Sequence, residues 1–376
     1  MTEYNGIASI ETIIEAARNG RPYILVDAED RENEGDVIIP AQFATPENIN
    51  FLAKHARGLI CLAMTQGRAD QMNLAPMAAN NEAGYGTAFT VSIEARVGVT
   101  TGISAHDRAH TIAVAIDPTK GADDIVSPGH VFPLIAREGG VLVRTGHTEA
   151  AVDISRLAGL QPAGVICEIM NDDGTMARLP DLLVFAARHE MPIGTIADLI
   201  AYRRRTERSV DRVLEKPFES AHGLFQMIIF REILTGTEHV ALVKGRIDPD
   251  RPVMVRVHQI TMASDILHHI DARHDYIPRA LEAITAFDGP GIAVFIRDPN
   301  PAWISQRHAG LAEAEAERIS LRDYGTGAQI LRDLGVQQMI LLTSSPAKLA
   351  AVKGYGLNIV ERRPVPSAPV LSPLSS

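Results

Sequence analysis

An α/β chain of two domains is what this sequence predicts, on three observations. Its 376 residues exceed one ordinary core and suit two domains of roughly 150–200 residues each. Apolar residues make up 46% and charged residues 22%, the proportions of a globular chain that can bury cores. Short apolar runs alternate with helix start and stop signals throughout, which is the α/β pattern.

Each element follows from local chemistry. Ser9 opens a helix with Glu11 in its first turn, and Gly20 closes it ahead of the apolar strand Tyr23–Val26. Thr45-Pro46-Glu47 caps a second helix ending at Gly58, after which 59–64 reads as a buried strand. Ser104 and Asp107 have capping-box spacing before another helix. Residues 140–144 are predicted as a strand and 149–158 as a helix closed by Gly159. Residues 164–170 form a further strand, ended by the turn Asn171-Asp-Asp-Gly174. The charged stretch 202–209 suits either an exposed helix end or a linker, which sets the domains at 1–206 and 207–365. Strands are predicted in the second half at 240–243, 253–257, 291–296 and 339–342, so it too reads as α/β. The Pro- and Ser-rich tail 366–376 is predicted disordered.

The bulk charge narrows the partners. A formal net charge of -10 offers no footprint for a nucleic-acid backbone or an anionic membrane, so small molecules are the expected partners. No run approaches the ~18 apolar residues of a membrane span, and the first residues lack a signal-peptide pattern. Two cysteines, Cys61 and Cys167, each in an apolar run, cannot build a disulfide framework or a four-cysteine zinc site, which fits a cytoplasmic location.

Three places in the first half carry chemistry. Six acidic groups stand in the ten residues 27–36, directly after a strand, where α/β proteins place ligands. If the segment is extended, Glu32, Glu34 and Asp36 share one face and suit Mg²⁺ or Mn²⁺; the alternative is a solvated acidic loop. Arg144-Thr145-Gly146-His147-Thr148 sits where a strand hands over to a helix, and backbone N–H groups beside an arginine and hydroxyls make a phosphate cradle. His147 is there either a metal ligand or base, or a capping or surface residue. Glu168 lies inside an apolar strand, where burial raises a carboxyl toward useful proton-transfer values. The alternative is the wet face of an edge strand, against which its neighbours Ile166 and Met170 argue. His130 follows a Pro/Gly turn and by itself says little. Together these features suit a divalent cation, a phosphorylated substrate and proton transfer next to a carbonyl, as in sugar-phosphate isomerases, aldolases and lyases.

The same strings resemble the 3,4-dihydroxy-2-butanone 4-phosphate synthase family over residues 5–205. The matching stretches are 30–36 (DRENEGD), 58–61 (GLIC), 99–108 (VTTGISAHDR), 128–134 (PGHVFPL), 145–149 (TGHTE) and 167–178. The resemblance implies an α-β-α sandwich with a mixed sheet, and a homodimer with active sites between subunits. It implies that ribulose 5-phosphate becomes 3,4-dihydroxy-2-butanone 4-phosphate and formate, with Glu32 and His147 holding Mg²⁺ or Mn²⁺ that stabilises an enediolate. Arg31, Glu32, Asp36 and Arg144, Thr145, Gly146, His147 and Thr148 would bind substrate, and His130 and Glu168 would transfer protons. Cys61 would line the pocket, with Thr101 and Asp107 as weaker candidates.

From about His222 to Pro364 the chain resembles GTP cyclohydrolase II, on 238–245 (EHVALVKG), 255–258 (VRVH), 322–331 (RDYGTGAQIL), 341–348 (LLTSSPAK) and 354–357 (GYGL). That family binds zinc with three cysteines, and the corresponding positions here are Thr261, Ala272 and His274, so no zinc is expected. Where that family has an Arg-Gly-Gln-Glu-Gly-Arg stretch this chain reads RDPNPAW at 297–303, and Ser320 replaces an expected acid. Three readings follow: a synthase with an inactive second domain, a bifunctional synthase and cyclohydrolase, and a catalytically silent scaffold. The thiolate losses count against the second, and the intact acidic and histidine set counts against the third.

Overall fold

The computed structural model describes residues 6–269, 275–298, 300, 302, 304–305, 325–343 and 355–366. The chain divides into two compact units, Met1–Arg203 and Arg204–Ser376.

In the first unit the strands are β1 Tyr23–Val26, β2 Gly35–Pro40, β3 Cys61–Thr65, β4 Ile93–Ala95, β5 Ile125–Ala136, β6 Ala163–Glu168 and β7 Ile193–Thr195. The helices are α1 Ile10–Arg18, α2 Pro46–Phe51, α3 Gln66–Gln71, α4 Ala105–Ile116, α5 His147–Leu157, α6 Leu179–Arg188 and α7 Ile196–Thr206. The strands form one mixed sheet in the order β4-β5-β3-β6-β2-β1-β7. Successive strand residues point to opposite faces. Tyr23, Leu25, Ile38 and Ile166 therefore join a core with α1, α5 and α7, while Ile24, Val37, Leu62 and Val165 join one with α2, α4 and α6. Covering both faces explains why the strands read as continuous apolar runs. The predicted α-β-α sandwich with a mixed sheet is what forms.

The caps act as their chemistry requires. The Ser9 side chain accepts from Thr12 N, that of Thr45 from Asn48 N and that of Ser104 from Asp107 N. The helix expected to end at Gly58 closes through a π turn, Leu52–Ala56, with Arg57 in the left-handed position at φ 72°. The charged stretch after residue 202 continues α7 as far as Thr206.

The strand expected at 140–144 does not form. Gly139 and Gly140 both take positive φ, 88° and 62°, and the Asp153 carboxylate captures Val141 N at 2.8 Å, so a 3-10 turn replaces it. The apolar strand of this region is β5, upstream. Helix α5 then begins at His147, two residues before the expected start.

The second unit holds β8 Val210–Ser220, β9 Gly223–Glu232, β10 Glu238–Lys244, β11 Val253–Gln259, α8 Tyr276–Ala286, β12 Gly291–Ile296, β13 Gln338–Leu342 and β14 Asn358–Arg363. Its sheet runs β14-β13-β11-β12-β10-β9-β8. Helix α8 packs on one face through Leu281 and Ile284, and a helical segment at 325–333 packs on the other through Ile330 and Leu331. All four predicted strands are present. The long β8–β9 hairpin was not predicted, because residues 211–217 of β8 are exposed on both faces and carry no period-two signal. The tail beyond 366 lies outside the described residues.

Candidate active site

The end of β1 hands the chain to a tight loop that returns as β2. Asp27 organises that loop: its carboxylate accepts Glu34 N at 2.8 Å, Glu32 N at 3.1 Å and the Arg31 guanidinium at 2.7 Å. Asn33 takes φ 54° within it. The segment is thus coiled round Asp27 rather than extended, and the period-two alignment of Glu32, Glu34 and Asp36 does not occur. Glu32 and Asp36 still converge, because both face His147 from α5.

His147 is buried, with Nδ1 at 3.7 Å from Asp36 Oδ1 and 3.9 Å from Glu32 Oε2. Its Nε2 lies 3.2 Å from the Leu25 carbonyl, which can only accept, so Nε2 carries the proton and Nδ1 turns to the carboxylates. Burial pushes the Asp36 carboxyl up to about 7, against the pull of His147, with Glu168, Glu32 and Glu34 adding to the rise. For His147 burial opposes the charged form, but Asp36, Glu32 and Asp27 outweigh it and hold the imidazole up at about 9. Glu32 is held below the ordinary carboxylate range: its burial works the other way, but His147 and Arg31 beside it win.

This donor set fits a hard divalent cation. Ligand atoms of Asp27, Glu32 and His147 lie within 4.8 Å of one another, and the buried Asp36 Oδ1 has no hydrogen-bond partner. Asp27 is already occupied by three donors, whereas Glu32 accepts one, the Arg31 guanidinium at 2.5 Å, so Glu32 and His147 hold the remaining capacity, with Asp36 beside them.

Anion-binding groups adjoin the pair. The α5 N-terminus has no side-chain cap at Gly146, and a Cβ at Gly146 would come 2.5 Å from Arg144 Nη1 and 3.1 Å from Arg31 Nη2. Glycine therefore lets two guanidiniums converge over a helix start. Arg144 is steadied by the buried Glu149 at 2.6 Å and by Thr87 Oγ1 at 2.9 Å. Arg31 lies over the Tyr85 ring at 5.2 Å, and the Tyr85 hydroxyl donates to the Arg31 carbonyl at 2.5 Å. Thr145 is exposed and Thr148 buried. Tyr85 and Thr87 escaped the sequence reading because they stand more than 50 positions from the arginines they touch, in a loop without a motif.

Glu168 is the last residue of β6, half-buried rather than mid-strand, and stands opposite Asp36 in the β2–β6 register. Its Oε2 accepts Leu59 N at 2.8 Å, and Gly58 packs so closely that a Cβ would collide with Glu168. Cys61 pairs with Ile166 on one side and Phe132 on the other. The register shifts beyond β3, where Arg57 bridges Ile169 and Gly58 N donates to the Glu168 carbonyl at 3.1 Å. His130 is exposed, with Nδ1 at 3.4 Å from Glu94. Cys61 is buried, and burial, then the charges of Glu168 and Asp36, push its thiol above the usual range.

In the second unit, the buried His258 turns Nε2 to Asp265 at 2.9 Å and Nδ1 to Arg256 at 3.3 Å. Asp265 also accepts Thr261 N at 2.6 Å and Thr261 Oγ1 at 3.2 Å. Ala272, His274, Trp303 and Ser320 lie outside the described residues.

A carboxylate–histidine centre at the end of a doubly covered sheet, beside a helix start flanked by two arginines, defines an α/β enzyme for an anionic small substrate. Comparison with known proteins says which. Residues 11–202 match the family "3,4-dihydroxy-2-butanone 4-phosphate synthase" and residues 211–364 match "GTP cyclohydrolase II". "Riboflavin biosynthesis protein RibBA" of Aquifex aeolicus is 49% identical, covering 96% of this chain and 93% of that protein. "3,4-dihydroxy-2-butanone 4-phosphate synthase" of Pseudomonas aeruginosa is 46% identical over 95% of this chain and 98% of its own. A crystal structure of RibBX, a two-domain synthase of that name from A. baumannii, aligns at TM-score 0.72 and 42% identity, covering 95% of this chain and 99% of that one. A synthase in complex with two magnesium ions aligns at TM-score 0.52 and 40% identity over 53% of this chain and 98% of its own. The chain belongs to the 3,4-dihydroxy-2-butanone 4-phosphate synthase family, with a GTP cyclohydrolase II domain behind it.

Proposed function

We propose that the first domain, residues 1–206, converts ribulose 5-phosphate to 3,4-dihydroxy-2-butanone 4-phosphate and formate for riboflavin biosynthesis. The observation that carries this is the meeting of Glu32, Asp36 and His147 beside the arginine-flanked start of α5. Glu32 and His147 would hold Mg²⁺ or Mn²⁺, and such a cation stabilises negative charge on sugar oxygens next to a carbon that loses its proton. Arg31, Arg144 and the N–H groups of His147 and Thr148 take the phosphate. Glu168, fixed by Leu59 N, and His130 exchange protons with the sugar carbons. Asp36, orphaned at Oδ1, takes a substrate hydroxyl. By the family resemblance the enzyme works as a homodimer, and its cysteine usage suits the cytoplasm.

The second domain, residues 207–365, is proposed not to open GTP. Thr261 is no zinc ligand of consequence, and His258 is engaged on both ring nitrogens. A second reading, a bifunctional enzyme, is favoured by the match of residues 211–364. One experiment separates them: purified protein given ribulose 5-phosphate and GTP in turn, read by formate release and product mass, with zinc measured per chain. Formate from the sugar alone, without zinc, is expected; stoichiometric zinc with GTP turnover would establish the bifunctional enzyme.

A further inference from the structure

Glu94 has so far had no part in the chemistry, and the string 99–108 only the weaker candidates Thr101 and Asp107. The β4–β5 register jumps from Ile93 opposite Val131 to Glu94 opposite Val126, which leaves residues 127–130, His130 among them, bulged out of the ladder beside Glu94. Its side chain is 14% exposed, and both carboxylate oxygens lie 3.4 Å from His130 Nδ1. Behind the carboxylate stands Gly102 at φ +85°, where a Cβ would occupy the same space as the Glu94 carboxylate. Asp107 holds Gly102 there: its carboxylate accepts Gly102 N at 3.0 Å, Thr100 N at 3.2 Å and the Thr100 hydroxyl at 2.7 Å. Asp107 N is in turn capped by Ser104 Oγ at 3.0 Å. One line of contacts thus runs from a helix cap through a glycine to an enclosed carboxylate and an exposed imidazole.

We propose that Glu94 is the positioning residue for His130: its carboxylate accepts a hydrogen bond from Nδ1–H, fixes the tautomer and leaves Nε2 to exchange a proton with substrate. This rests on reading His130 as a proton-transfer group. A carboxylate only accepts, so the nitrogen facing it must carry hydrogen, and a neutral imidazole then has its lone pair on the other nitrogen. When Nε2 takes a proton, the adjacent negative charge steadies the cation formed, as the buried aspartate does in a Ser-His-Asp triad. The 3.4 Å contact, shared by two oxygens, is long in the way catalytic hydrogen bonds often are before substrate tightens them. The loop 100–102 then serves to wall in Glu94, which gives Thr100, Gly102 and Asp107 a common purpose.

The test uses the full chain labelled with ¹⁵N-histidine, with His130→Ala assigning the His130 signals. Ring ¹⁵N shifts should report the Nδ1–H tautomer in the natural protein and a mixture in Glu94→Gln. The kcat for formate release from ribulose 5-phosphate should fall roughly 10–100-fold in Glu94→Gln, as for other carboxylates that orient a histidine, with KM nearly unchanged. Gly102→Ala should give the same loss by displacing the carboxylate. If Glu94→Gln melts below the assay temperature, Glu94→Asp decides, since it keeps the charge and withdraws it from Nδ1. Natural kcat and tautomer in whichever acid variant folds overturn the proposal. Full activity in His130→Ala would instead overturn the reading of His130, and the two failures are distinct.

Discussion

Each unit pairs a buried histidine with a carboxylate at the end of a strand, and the two pairs are finished differently. In the first unit Asp36 Oδ1 faces His147 at 3.7 Å without any hydrogen-bond partner, and Glu32 closes in from a third direction. In the second, Asp265 is saturated by His258, Thr261 N and Thr261 Oγ1. Unspent acceptor capacity in a buried acidic group is costly unless a cation or substrate takes it up. A saturated carboxylate is complete within the protein and serves as a staple. Under the proposed function the contrast separates a centre that takes a ligand from one that serves the fold, although both are a histidine with an acid.

The largest effects should fall on the first centre. Glu32→Gln and His147→Ala should each lower formate release from ribulose 5-phosphate by at least ~1000-fold, and excess EDTA should do likewise until Mg²⁺ or Mn²⁺ is restored. Full turnover in EDTA would remove the metal from the reading. Next comes Glu168→Gln, which keeps the acceptor for Leu59 N but cannot exchange a proton. Its kcat should fall by roughly 100-fold or more while substrate binding by calorimetry persists, in line with general acid–base contributions. A near-natural kcat would make Glu168 structural.

A pH experiment probes the open pair more gently. Asp36, ordinarily 3.8, is raised to about 7, and His147, ordinarily 6.5, to about 9. Both folded values exceed the unfolded ones. Each group therefore contributes stability below its unfolded value that is lost as pH rises through the folded value. Between pH 6 and 9 the Tm of the metal-free protein should fall by roughly 10 °C, on the usual conversion for a domain of this size. Divalent cation should bind up to about tenfold more tightly per pH unit over the same range, because it no longer displaces the His147 proton. A flat Tm together with pH-independent cation binding would contradict the coupled pair.

The smallest effect belongs to the saturated centre. Asp265→Asn removes the acceptor for His258 and Thr261 and should destabilise the second unit by about 1–3 kcal/mol, the cost of unsatisfied buried donors. Differential scanning calorimetry would register this, with formate release from ribulose 5-phosphate unchanged. If the variant instead changed zinc content or GTP turnover, the staple would be a working site and the contrast between the units would collapse.

Much of this was legible in the chain itself. Local chemistry marked the caps at Ser9, Thr45 and Ser104, the apolar strands and the two-domain α/β order, because caps and runs act over a few neighbouring residues. Residue type also singled out Glu32, Asp36, His147 and Glu168, since charged groups beside buried strands need a reason. What local reading got wrong was shape. It left 27–36 open between an extended segment and a loop, which Asp27 decides by gathering three donors, and it drew a strand through 140–144, which Asp153 and two left-handed glycines turn aside. Tertiary structure alone decided that Tyr85 and Thr87 steady the arginines, that Leu59 N fixes the Glu168 carboxylate, and that Glu94 faces His130. Those contacts join residues 36 to 109 positions apart, and strand register and loop closure, which bring them together, leave no mark in any short stretch of sequence.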